Sequence, residues 1–179
     1  MRMVRFGDVV AAVLLLETEP IKDVGGLLAR LYESSQGCEV QLFNPDILVD
    51  WEHFDAALVS AVISFTSIGL ARRLGMEVLM RLAATDQATQ AISFAGVSDG
   101  SRRVGLLVLG GDPEQVGRGA ESARQHIDGR SVSLESSADR VERIAAGYDV
   151  RAGPHIQARD RSEALKLAII QRIATSALK

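Results

Sequence analysis

Three consecutive amphipathic runs between Asp50 and Val97 constrain this chain more than any other feature of its sequence. Asp50 is suited to a helix N-cap, because its carboxylate can accept from first-turn amides that have no partner within the helix. After it, Trp51, Phe54, Leu58, Ala61, Phe65 and Ile68 recur at three- and four-residue steps, which places them on one helical face. Ser67-Ile68-Gly69 interrupts the pattern. A second run then aligns Ala71, Leu74, Val78 and Leu82, with Arg73, Glu77 and Arg81 on another side. Their four-residue spacing lets Glu77 pair with both arginines. A third helix is expected from near Thr85 to Gly96, a residue suited to the left-handed position after a helix. The pattern predicts a compact three-helix unit whose middle helix shows a charged face.

Strand patterns flank this unit. Met3–Phe6 and Val9–Leu16 around Gly7-Asp8 predict a hairpin. A helix follows from Pro20 to about Ser34, with Leu27, Leu28 and Leu31 inward and Gly25-Gly26 weakening it. Cys38–Phe43 alternates as a strand that Asn44-Pro45-Asp46 ends. Val104–Leu109 is continuously apolar, as in a central strand. Asp112-Pro113-Glu114-Gln115 then has the cap, first-position proline and capping-box glutamine of a helix running to about His126. Val132–Leu134 is a short strand candidate, and Ala138–Ala146 a helix. An irregular stretch with Gly153-Pro154 leads to a last helix over about Arg161–Leu178. Strands that come first as a pair and then singly between helices predict an α/β (mixed α+β) fold. We expect one domain over residues 1–179, with a mixed sheet of about four to five strands and packed helices.

The length of 179 residues is ample for a core. A net charge of −3 excludes bulk, charge-driven nucleic-acid binding. From Arg151 onward, however, six Lys/Arg stand against two Asp/Glu, so this tail carries +4 and the rest −7. Such a tail reaches a phosphate backbone or an acidic face, or is simply a solvated helix surface. Cys38 is the only cysteine, which fits a reducing cytoplasm and a buried structural thiol. Arg2 and Arg5 before Val9–Leu16 mimic a signal peptide, but Asp8 interrupts the run and no small-residue cleavage site follows. The run is also too short to span a bilayer.

No motif for catalysis stands out. His53, His126 and His155 sit on separate elements without metal-ligand spacing. Gly110-Gly111 lacks the spacing of a phosphate loop, and Asp112 at the cap would repel an anion. Arg72-Arg73 and Arg102-Arg103 read most simply as solvated pairs.

The same central stretch carries a family resemblance. Glu52-His53-Phe54, then Ala57, Ala61 and Phe65, resemble a helix pattern in the kinase-binding subunit of the KEOPS complex, related to the human PRPK-binding protein. Glu77-Val78-Leu79-Met80 resembles that family's acid followed by a leucine-rich turn. Gln87, Ala91, Ile92, Gly96 and Val97 match its third helix, and the likeness extends over nearly the whole chain. The chain departs from the family at Ala84 and Asp86, where a glycine and an arginine usually precede the glutamine. The family's asparagine before the second helix is also missing.

The resemblance implies a non-catalytic subunit that binds a PRPK-like atypical kinase/ATPase. It also implies help in recruiting tRNA, by its acceptor end, for threonylcarbamoyladenosine modification beside the anticodon. The implied kinase contacts are His53, Phe54 and Glu77. In an acidic chain, tRNA contact falls to local arginines, here Arg72, Arg73 and Arg81, and to the basic tail. No catalytic residue, cofactor, metal or membrane partner is implied. Two other readings remain open at this point: a small α/β enzyme whose pocket the sequence does not reveal, and a self-associating structural protein.

Overall fold

The computed structural model describes residues 1–67, 71–135, 137–151 and 158–176. Ile68-Gly69, Gly153-Pro154, His155, Leu178 and Lys179 lie outside the described residues. The elements run β1 (Arg2–Phe6), β2 (Val9–Thr18), α1 (Val24–Ser34), β3 (Glu39–Phe43), α2 (Trp51–Ser67), α3 (Leu74–Leu82) and α4 (Ala88–Ala95). They continue as β4 (Arg103–Gly110), α5 (Pro113–Arg124), β5 (Gly129–Ser131), α6 (Ala138–Gly147) and α7 (Arg161–Ser176). A single 3-10 turn, Pro45–Ile47, follows β3. The fold is mixed α and β, as the alternation of periods implies.

The described residues group into two compact units interleaved along the chain. The first comprises Met1–Pro45, Ala71–Met76 and Gly96–Ser133; the second, Asp46–Leu70, Glu77–Ala95 and Leu134–Lys179.

The first unit is a five-stranded sheet in the order β1-β2-β4-β3, with β5 pairing β2 beyond the end of β1. Phe6 pairs Val9 across Gly7-Asp8, and Gly7 takes φ +59, a left-handed conformation open to glycine. β4 is central, as its apolar run implies. Every ladder is antiparallel, which corrects the expected mixed sheet. The reason is β4. It inserts between β2 and β3 and runs against both, so those two parallel strands never become neighbours. The fifth strand is Gly129–Ser131, and Val132–Leu134 lies just past it.

Val10, Ala12, Leu14 and Leu16 share one face of this sheet with Val40, Leu42, Val104, Leu106 and Val108. Leu27 and Leu31 of α1, with Val116, Ala120 and Ala123 of α5, close over that face. Cys38 is buried in the same core, and burial raises its thiol pKa, as an inert structural cysteine requires. On the other face Gly105 pairs with Phe43, whose ring lies where a Cβ at residue 105 would sit.

Local chemistry explains where the helices start. α1 begins at Val24, later than Pro20, because Asp23 caps it by accepting from the Gly26 amide. A Cβ at Gly26 would collide with the Asp23 carboxylate, so this glycine makes room for the cap. Asp112 caps α5 by accepting from the Gln115 amide at 2.7 Å, with Pro113 at the first position. Gln115 closes no capping box. Its side-chain amide donates instead to the Gln36 carbonyl at 2.8 Å. α3 takes its cap from a strand: Glu39 accepts from the Gly75 amide at 2.7 Å and the Leu74 amide at 3.2 Å. Replacing Glu39 with Ala removes both acceptors. We expect a loss of about 1 kcal/mol, read as a fall in Tm of about 3 °C; an unchanged melting curve would show that Glu39 is no cap.

Candidate functional site

The second unit is helical, and its three central runs do not pack as a bundle of their own. α2 lies chiefly against α7, and α7 against α6, elements far downstream of α2 in the sequence. Asp50 caps α2 as expected, accepting from the His53 amide at 3.0 Å. Lys166 of α7 reaches back to that cap, 3.2 Å from Asp50 and 2.6 Å from Glu52. The predicted stripe is largely inward: Phe54, Leu58 and Ala61 are buried, and Trp51 and Phe65 half-buried. The structure adds two polar residues to that interior, His53 and Ser64.

His53 belongs to a buried polar centre. Its Nδ1 accepts from the Val49 amide at 3.3 Å, and its Nε2 lies 3.2 Å from the Tyr148 hydroxyl. That hydroxyl donates to the Leu82 carbonyl at the end of α3. Tyr148 caps α6 and is edge-on to both His53 and Phe94, with ring centroids 5.6 and 5.0 Å apart. One side chain thus ties together α2, α3, α4 and α6. Burial pushes the His53 pKa down to about 4, against a weaker opposing pull from Asp50. Burial likewise pushes the Tyr148 phenol far above its usual range. The sequence reading missed Tyr148; its place directly after a ten-residue helix was the available signal.

The second buried polar group is an ion pair. Glu77 and Arg81 of α3 are 3.4 Å apart, with no exposed side-chain surface on either. Arg81 donates to the Ser176 hydroxyl at 3.0 Å and the Thr85 carbonyl at 3.3 Å. Burial lowers its pKa, while Glu77 and then Asp86 pull it back up. The expected charged face of α3 is therefore interior: residues 77–82 are all buried. The reason is that this helix is enclosed on every side, so an i,i+4 spacing that suits a solvated ladder serves here to neutralise a buried charge. Ala84 takes φ +50, a left-handed conformation that glycine adopts more readily.

These positions revise the site residues. His53, Phe54, Glu77 and Arg81 are each 0% exposed and offer no surface to a partner. Arg72 and Arg73 are exposed, and both precede α3 in the first unit. Arg73 stacks on the Tyr32 ring, 4.6 Å from its centroid. Arg81 belongs to the second unit and is buried there. The basic tail is also partly neutralised: Arg159 pairs with Glu163, Arg161 with Glu142, and Lys166 with Asp50 and Glu52. Among the described residues of the helical unit, the large apolar side chains turned to solvent are Ile63 of α2, 54% exposed, and Ile92 of α4, 50% exposed.

A cleft of about 260 Å³ is lined by Asp50, Ser137, Arg159, Asp160, Glu163 and Lys166, among others. Its cations face its own carboxylates, through the Lys166–Asp50 and Arg159–Glu163 pairs. Among the described residues, no group of three or more His, Cys, Asp and Glu is placed to hold a metal ion. No described helix is long and apolar enough to cross a membrane.

An antiparallel sheet unit and a helical unit make this an α+β protein. The model of the family described as "Kinase binding protein CGI-121" matches residues 19–177. The chain belongs to that kinase-binding family, with β1 and β2 preceding the matched span. No match was found among curated proteins.

The buried pair supplies a test of this interior. Arg81→Met alone leaves Glu77 charged in a dry site, and removing one partner of such a pair costs about 3–5 kcal/mol. A fall in Tm of roughly 10 °C is expected. The double change Glu77→Leu with Arg81→Met should recover most of it. A single variant that melts like the parent would place the pair in solvent.

Proposed function

We propose that this chain is a non-catalytic subunit of a KEOPS complex, binding a PRPK-like atypical kinase/ATPase through its helical unit. The observation that carries this reading is the match to a kinase-binding family over residues 19–177. It fits the resemblance in the Asp50–Val97 stretch. In this reading His53, Phe54 and Glu77 act from inside, shaping the helices that the kinase meets. Direct contact belongs to exposed apolar positions, and Ile63 and Ile92 fit the type. The subunit also helps bring tRNA, through its acceptor end, to threonylcarbamoyladenosine synthesis. Arg72 and Arg73 are the arginines of the original three with solvent access, and the half-buried Tyr32 beside Arg73 adds an aromatic edge. Charge contacts with an aromatic neighbour suit single-stranded nucleic acid. Arg81 supports this function through the fold alone.

The kinase contact is tested by Ile63→Glu and Ile92→Glu, each measured for binding and for melting. At least one should weaken binding by about 2 kcal/mol, roughly thirtyfold, with Tm unchanged. Full binding by both variants would remove these positions from the interface.

The tRNA contact is tested by reversing Arg72 and Arg73 together to Glu. Binding should weaken, and the slope of log K against log salt should fall by about one to two, while kinase binding persists. Trimming the terminal CCA should weaken wild-type binding in the same way. Equal binding of trimmed tRNA, or survival after charge reversal, would assign tRNA recruitment to other subunits.

A further inference from the structure

The helical unit is built around an imidazole whose protonation state the hydrogen bonds define. Val49 N–H donates to His53 Nδ1, so that nitrogen carries no proton. The Tyr148 hydroxyl commits its single proton to the Leu82 carbonyl, so it can only accept from His53. Nε2 must therefore bear the ring proton. Donation runs in one direction, from Val49 N–H to His53, from His53 to Tyr148, and from Tyr148 to Leu82. This relay joins the start of α2 to the C-cap of α6 and the end of α3.

A second proton would sit on Nδ1, donor facing donor against the Val49 amide, on a ring with 0% exposure. The charged group beside the ring is Asp50, which accepts from the His53 backbone N–H and is itself held by Lys166. The elements packed around it bring further charges, each already engaged. Arg140 of α6 pairs with Asp46 and donates to the Leu48 carbonyl, and Glu77 of α3 pairs with Arg81. Phe94 of α4 faces Tyr148 with an apolar ring. Nothing among these compensates a positive charge on the imidazole beyond the partial pull of Asp50.

We propose that the Val49–His53–Tyr148–Leu82 relay is an acid-sensitive latch, which opens the helical unit locally when His53 takes a second proton and leaves the sheet unit folded. To be solvated, the imidazolium must leave its pocket. Leaving breaks the Val49 bond and removes the donor to the Tyr148 hydroxyl, which keeps its own bond to Leu82, so α2 separates from the ends of α3 and α6. The direction follows from linkage. His53 is held at about 4 when folded, below its ordinary 6.5. Its neutral form is the one the fold accommodates, so the stabilisation is complete above pH 6.5 and drains away as pH falls toward 4.

Two measurements on the full chain test the latch. In the first, nitrogen-15 shifts of the His53 ring should show the Nε2–H neutral tautomer from pH 7 down to 5. Titration with a midpoint near 6.5, or an Nδ1–H tautomer, would overturn the proposal. In the second, hydrogen exchange at the Val49 amide is followed from pH 7 to 4.5 and corrected for the intrinsic rate. Its protection should fall on the order of fifty- to hundredfold, while β4 amides such as Leu107 keep theirs. His53→Asn retains an acceptor for Val49 but cannot charge, so its Val49 protection should be independent of pH. A constant wild-type value, an equal fall in the Asn variant, or a parallel loss in β4 would each refute the latch. If the Asn variant does not fold, the ring shifts and the Val49-to-β4 comparison decide on wild-type protein alone.

Discussion

Eight antiparallel pairs between β2 and β4, from Val10–Gly110 to Glu17–Arg103, organise the sheet unit. They join segments that lie far apart in sequence, so forming them closes a long loop and is entropically costly. The return is a central strand buried on both faces. Because β4 also pairs β3, one strand sets the order of the sheet, the direction of its neighbours and the surface that α1 and α5 cover. β3 then sends Glu39 to the start of α3, so the register of the sheet also decides where that helix begins.

The helical unit has a different logic. It spends burial on polar groups: a histidine, a tyrosine hydroxyl, and a glutamate–arginine pair. Such groups are costly to desolvate and tolerate few geometries. Replacing them with apolar residues would often be neutral or stabilising, so their presence is better explained by what they specify than by net stability. Each joins the end of one helix to another element. Tyr148 meets the last carbonyl of α3, and Arg81 meets both Thr85 and the end of α7.

This arrangement changes how a binding surface on such a chain should be understood. The residues that carry the family resemblance, His53, Phe54 and Glu77 among them, lie inside. Among the described residues of the helical unit, the large apolar side chains in solvent are Ile63 and Ile92. The charge pattern shifts in the same sense. Arg159, Arg161 and Lys166 of the tail are paired within the fold and Arg81 is neutralised by Glu77, whereas Arg72 and Arg73 are exposed to solvent.

Much of the architecture was legible in the residues alone. Alternation and apolar runs placed four strands, three- and four-residue periods placed the helices, and Asp50, Asp112 and Pro113 marked helix starts, because these signals are local. The Asp50–Val97 stretch was also enough to indicate a kinase-binding family, which the match over residues 19–177 bears out. Long-range pairing was not legible. Nothing local told β4 to enter between β2 and β3, or α2 to choose α7 over α3. Nor could spacing tell a solvated Glu77–Arg81 ladder from a buried one, since the i,i+4 geometry is the same in both. The sequence by itself determined which segments are helix and strand and which faces are apolar; only the tertiary structure decided which polar groups are enclosed, because burial depends on neighbours that the chain brings from far away.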